Sequence, residues 1–256
     1  MKAAFRRVLF VGFLFATATI PQAQEAAPED GPRGDFVNLP KLVRVQVEFI
    51  DLAHEQLTEL MFGENTTTND TELRKKVGEL VAKDQATVVE TMICVAKSGQ
   101  KATTESIKEF IYATEYEPAI LPSNVQTTVS GDKAGSPNED LATGPTPSAW
   151  DTRNTGSTLE VEPTLDENGR LVDLRFVPEI VYHLGEHTWA EWRDKRGTAD
   201  IKMPMFYTLR VNAAVTVVPG QYLLVGALSP KGKDGNTDST RKVMVFVKCE
   251  VLTTIE

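Results

Sequence analysis

The chain has 256 residues, with 27 Lys and Arg against 36 Asp and Glu and a formal net charge of −9 at pH 7. Such a surface repels phosphate backbones and anionic headgroups, which excludes nucleic-acid binding and charge-driven docking on anionic lipid as its main work. Two cysteines, Cys94 and Cys249, stand far apart and match no metal-binding spacing.

At the N-terminus, Lys2, Arg6 and Arg7 precede an apolar run from Val8 to Phe15, and small residues follow at Ala16, Ala18 and Ala23. This is the pattern of a secretory signal peptide over residues 1–23, with cleavage after Ala18 or Ala23. The apolar run is short of the about 20 residues that a membrane-spanning helix needs. Loss of the three basic residues takes the net charge from −9 to about −12. An exported chain meets an oxidising compartment, where Cys94 and Cys249 form either one disulfide or two buried thiols. Residues 24–40, rich in Pro, Ala, Gly and acids, read as a disordered leader.

An ordered domain is expected over 41–256. Val43, Val45, Val47 and Phe49 alternate with Arg44, Gln46 and Glu48, the mark of a half-buried strand. A helix follows over His54 to Phe62, with Leu57, Leu60 and Met61 at helical spacing and Gly63 as its stop. A polar loop, Asn65 to Asn69, leads to a second helix capped by Asp70 or Thr71, with Leu73, Val77, Leu80 and Val81 on one face. From Ala86 the period returns to two, and because apolar residues occupy both parities up to Val95 the strand is expected to be covered on both faces. Ser98 to Ala102, including Gly99 and Gln100, turns into a strand over Thr103 to Thr114, which ends before Pro118. Residues 123–155, polar and interrupted by Pro137, Pro145 and Pro147, read as a flexible insertion.

Four further strands are expected over Thr158 to Leu165, Leu171 to Tyr182, Phe206 to Val218 and Tyr222 to Leu228. Asn168-Gly169 joins the first two as a type I′ hairpin turn, since both residues tolerate positive φ. Pro219-Gly220, followed by Gln221, suits a type II turn. Between the second and third strands, His183 to Arg196 reads as a connection turning at Gly185. A last strand, Val243 to Leu252, follows the polar loop Lys231 to Arg241. The periodicities together predict an α+β fold, mainly antiparallel β, with one or two short helices near the N-terminus.

The residues hold little chemistry. His183 and His187 with Glu179 and Glu186 form a conceivable metal set, but their spacing suits a helix and their context is strand and turn. His54 at a helix start is ordinary surface. No nucleophile elbow, phosphate-cradling glycine loop or HExxH motif is present, so no catalytic, cofactor-binding or metal residue is assigned. Trp189 and Trp192 suit either an aromatic belt at a membrane surface or a hairpin packed on the core. Gly220, Gln221 and Gly226 suit either close backbone approach in a barrel wall or a turn and a bulge.

Taken in order, Gly156, Leu159, Val161 and Pro163, then the Asn168-Gly169 turn, then Leu171 to Pro178, then Thr208 to Gln221 and Leu223 to Leu228 resemble the C-terminal domain of secretins, the channel-forming proteins of type II and type III secretion systems. Upstream, Gly99-Gln100, Ala102 and Tyr116-Glu117-Pro118 match the family's strand, turn, strand and Pro series. The resemblance runs from Val43 to Leu252. It implies a homo-oligomeric outer-membrane channel for protein secretion, exported to the periplasm or outer membrane, working with secretion-system components and without catalysis. It also implies that the region around the 123–155 insertion contributes to a lumen or gate. The chain departs from the pattern at Gly226-Ala227, where Gly-Gly is usual, and in showing no repeated ring-building modules upstream. The domain is thus expected to stand alone, either as a channel subunit or as a soluble periplasmic binding or scaffold module that kept the fold.

Overall fold

The computed structural model describes residues 41–62, 67–119, 143–194, 197–232 and 234–252. The expected signal peptide and leader lie outside these residues, as does most of the 123–155 insertion. In chain order the elements are β1 (Leu42–Ala53), α1 (His54–Met61), α2 (Thr71–Ala82), β2 (Ala86–Lys97), β3 (Ala102–Glu117), β4 (Thr146–Leu165) and β5 (Val172–Ala190). There follow β6 (Arg193–Asp194), β7 (Gly197–Thr198), β8 (Ile201–Arg210), β9 (Ala213–Val217), β10 (Tyr222–Leu228) and β11 (Arg241–Leu252). Two antiparallel sheets dominate, one ordered β10-β11-β1-β2 and the other β3-β4-β5-β8, with β9 also on β5. The expected α+β, mainly antiparallel class is what the chain adopts.

Alternation builds the core. Val43, Val45, Val47 and Phe49 of β1 face the second sheet together with Val243, Val245, Val247 and Cys249 of β11 and Met92, Cys94 and Ala96 of β2. They meet Leu159 and Val161 of β4, Val172, Leu174, Phe176 and Ile180 of β5, and Val217 of β9. Ile50 and Leu52, of the opposite parity, point to the other face of the sheet, and the register shift beside them lies in β2, where Val89 is the extra residue. There Leu73 and Val77 of α2 cover them with Met244 and Phe246. A buried ion pair between Arg74 and Glu48 pins α2 to the same face.

Both thiols are free and buried. Cys94 and Cys249 each pair with Val45, from opposite sides of β1, so a strand lies between them. Two strand spacings, about 9–10 Å, exceed the reach of a disulfide. Burial pushes the Cys249 thiol up to about 12, which leaves it inert as a nucleophile.

Several expectations need correction. β2 is covered on one face only: Met92 and Cys94 are buried, whereas Ile93 and Val95 are 48% and 44% exposed, because α2 reaches only the Ala86 end. Residues 146–155 of the expected flexible insertion are the first half of β4, held by β3 along Glu117↔Thr146 to Lys108↔Thr155. Its Thr, Asp, Arg and Asn side chains show no apolar alternation, yet the backbone ladder needs none. Asn168-Gly169 is not a type I′ turn, since only Gly169 has positive φ, at 70°. The Asp166 carboxylate instead accepts the Arg170 and Leu171 amides, at 2.6 and 3.0 Å, and holds a wider loop. These amides, that of Leu171 foremost, also lower the Asp166 pKa.

Gly185 does not turn the chain either; at φ 126° it sits in a bulge of the continuous strand β5. The expected Phe206 to Val218 strand divides into β8 and β9, which follow one another along β5. The break has a cause in β5. The Pro178 carbonyl accepts the Val211 amide (3.2 Å), so the missing Pro178 N–H faces the same point of the ladder. β10 belongs to the first sheet, paired with β11.

Candidate functional site

Beyond the sandwich, the second sheet continues as two hairpins. The β4–β5 ladder ends at Gly156↔Val181, whereas β3–β4 runs on to Glu117↔Thr146 and β5–β8 to Ala190↔Ile201. Gly156 stands at the point of divergence with φ 117°, and a Cβ there would lie 2.2 Å from the Ser106 carbonyl oxygen. Only glycine fits this close approach in that conformation. β3, β4, β5 and β8 are 16, 20, 19 and 10 residues long. All four therefore reach the about 9–11 residues that a tilted strand needs to cross a bilayer.

An aromatic clasp joins the two hairpins. Phe110 of β3 lies 4.3 Å from the His183 ring of β5 and 5.8 Å, edge-on, from Phe206 of β8. Tyr112 also approaches Phe206, and the Arg153 guanidinium stacks over that ring at 5.4 Å. Nearer the tips, Tyr116 donates to the Lys202 carbonyl (3.4 Å), and Gly144 packs against Trp192 and Ala199. Trp192 thus packs within the hairpins, while Trp189 is 67% exposed with His187 edge-on against it. Facing away from the clasp on β3 are Ile107 and Ile111, and Trp150 on β4 is likewise exposed.

The sheet edges are treated unequally. β10 is closed by the start of α2: the Asp70 amide donates to the Tyr222 carbonyl, and Thr71 Oγ1 and Asp70 Oδ2 accept the Tyr222 and Leu224 amides. β3 and β8, at the two margins of the second sheet, have a ladder partner on one side only among the described residues. An edge left in this way is a template for another strand.

The residues singled out from sequence shape this scaffold and do not converge on a cleft. Gly99 (φ 75°) and Gln100 turn β2 into β3, and the Gly99 amide donates to the Pro163 carbonyl (2.7 Å). Pro163 thus turns its missing N–H toward a place that β3, which begins at Ala102 opposite Val161, does not reach. Pro118 follows the last residue of β3. Asn168 and Gly169 lie at the same end of the sandwich as Gly99, whereas Pro219 and Gly220 carry the chain from β9 to β10. Gly220 has φ 87° and the Gln221 amide donates to the Val218 carbonyl, as a type II turn requires. Gly226 marks a bulge with open space around it, so close backbone approach within the chain is not its role.

Among the described residues no group of three His, Cys, Asp or Glu could hold a metal. His183 belongs to the clasp, and His54 Nδ1 lies 3.1 Å from the Ser239 carbonyl on the surface. No helix among the described residues is long and apolar enough to cross a membrane.

No family model matches the sequence, and no curated protein does. Among solved structures the chain is similar to the secretin domain β-barrel of InvG from the Salmonella SPI-1 injectisome, at 9% identity and a TM-score of 0.42, covering 86% of this chain and 65% of that one. Aeromonas hydrophila ExeD is matched at 14% identity and a TM-score of 0.41, over 84% of this chain and 49% of that one. The V. cholerae type IV competence pilus secretin PilQ is matched at 9% identity and a TM-score of 0.38, over 85% and 62%. The chain spans less than two thirds of the length of each of these three. At such values the likeness assigns no function, which must come from the chain's own residues.

Proposed function

We propose that this chain is an exported, secretin-like envelope protein whose copies join through the β3 and β8 edges into a multisubunit outer-membrane barrel, a channel for protein or another polymer. The observation that carries the reading is the pair of hairpins, β3–β4 and β5–β8, which extend past the core and end in two unclosed edges. A hairpin that buries little is marginal by itself and gains stability from further strands. Closing such edges in a ring satisfies every backbone group and leaves a polar lumen. The resemblance of Gly156 to Gln221 to the secretin pattern supports the same assembly. With a net charge of −9, the lumen would disfavour acidic cargo. Secretion-system components are the partners this reading calls for.

Separated inner and outer membranes, extracted in mild detergent and run heated and unheated on semi-native gels, test it. A very large, heat-sensitive species in the outer membrane is expected; a soluble monomer would overturn the channel. One observation favours a soluble periplasmic scaffold or binding module as the second reading. Glu105 and Glu109 alternate with Ile107 and Ile111 on one face of β3, and all four are exposed, which is a poor lipid-facing stripe.

A further inference from the structure

Resting on the assembly reading, we infer a second contact between copies, away from the hairpin edges: the end of α1 from one copy docks on the uncovered outer face of β2 in the next. α1 ends in Met61 and Phe62, which are 44% and 89% exposed. Among the described residues nothing covers this aromatic ring at the helix end. On the same helix Glu55 and Glu59, four residues apart, are exposed, and its last turn holds no basic residue.

The docking face lies on the first sheet. Ile93 and Val95 project from the uncovered face of the edge strand β2, beside the exposed Leu42 of β1. Beside them stand Arg44 and Lys97, two bases on an acidic chain. Cross-strand pairing puts Arg44 beside Val95 and Lys97 beside Leu42. Arg44 is partly neutralised by Glu250 at 3.3 Å, which leaves Lys97 as the main attraction for the acids of α1. Apolar knob meets apolar patch while acids meet bases at the rim, the arrangement expected of a specific contact. The contact is between copies. α1 begins at the Ala53 end of β1 and the patch lies toward the Leu42 end, about 30 Å away by strand rise. A helix of eight residues, about 12 Å long, does not bridge that span.

The test uses the full chain, wild type and variants, in the detergent extract. Mixing a Phe62→Cys chain with an Ile93→Cys chain under oxidation should give a covalent dimer that neither chain gives alone; the native thiols, both buried, add little background. Glu59→Lys and Lys97→Glu should each raise the concentration of half-assembly by roughly tenfold, and the two together in one chain should restore it. Assembly that persists with no mixed cross-link and no response to either reversal overturns this contact and leaves the channel reading standing. Self cross-links of Ile93→Cys alone overturn it in favour of face-to-face pairing. A wild-type chain that never assembles overturns both readings.

Discussion

The sandwich and the hairpin pair are built from one sheet and solve opposite problems. In the sandwich, β1, β5 and β11 bury side chains at nearly every second position, so the fold closes on itself. Past Gly156 and Val181 the same strands continue, yet among the described residues the only buried hydrophobic on the projecting hairpins is Ala113. There the backbone ladders and the clasp around Phe206 hold the structure, while Ile111, Trp150 and Trp189 remain more than 60% exposed. On the proposed assembly, the underburied end obtains the rest of its burial from neighbouring copies.

That contrast can be broken by mutation. The largest expected effect is Phe176→Ala in the sandwich, which should cost about 3–5 kcal/mol by chemical denaturation, whereas Ile111→Ala on a hairpin should stay within about 0.5 kcal/mol. Equal losses would show that the hairpins share the core's cooperativity. Next, Arg74→Leu removes the partner of Glu48, whose side chain is 7% exposed, and should cost about 3 kcal/mol. Since the pair ties α2 to the first sheet, loss of helical signal should accompany the drop. Smaller still, Gly156→Ala places a methyl group against the Ser106 carbonyl at positive φ and should cost about 2 kcal/mol. Gly226→Ala, with open space and no positive φ, should be close to neutral by comparison. Should both glycine variants behave alike in thermal denaturation, Gly156 would not be the pivot between sandwich and hairpins.

The same contrast governs what the sequence disclosed. Alternation along Val43 to Phe49 and Val243 to Leu252 revealed β1 and β11, because one face of each is buried and must be apolar. Pro219-Gly220 revealed its turn because φ there is dictated by the residues themselves. The first half of β4 went unseen for the converse reason: Asp151 to Thr155 pair with β3 chiefly through the backbone ladder, and exposed faces set no pattern. The break between β8 and β9 was invisible locally, since its cause, Pro178, lies on the partner strand. Resemblance singled out Gly156 and Pro163, though not their mechanical roles at the divergence of the hairpins and just beyond the start of β3. The clasp was missed altogether. Phe110, His183 and Phe206 come from three strands nearly a hundred residues apart, and no local signal links them.

The smallest effect lies where the two regions meet. Tyr182 and Tyr207 stack at 5.8 Å where the hairpin base joins the sandwich, and the Tyr207 hydroxyl donates to the Ser229 carbonyl (3.4 Å). Burial foremost, then the neighbouring Tyr182, raises the Tyr207 pKa to about 12, and burial raises that of Tyr182 as well. A tyrosine in the unfolded chain ionises near 10. Below that pH both states keep the phenol neutral and the contribution is fully present; between about 10 and 12 the unfolded state alone loses its proton, so stability falls as pH rises. Stability measured by urea denaturation should therefore be flat up to pH 10 with respect to this pair and decline above it. Tyr207→Phe should flatten that decline while leaving stability near neutral pH little changed. A decline that is the same in the variant would assign alkaline sensitivity to other groups and detach this junction from the pH response.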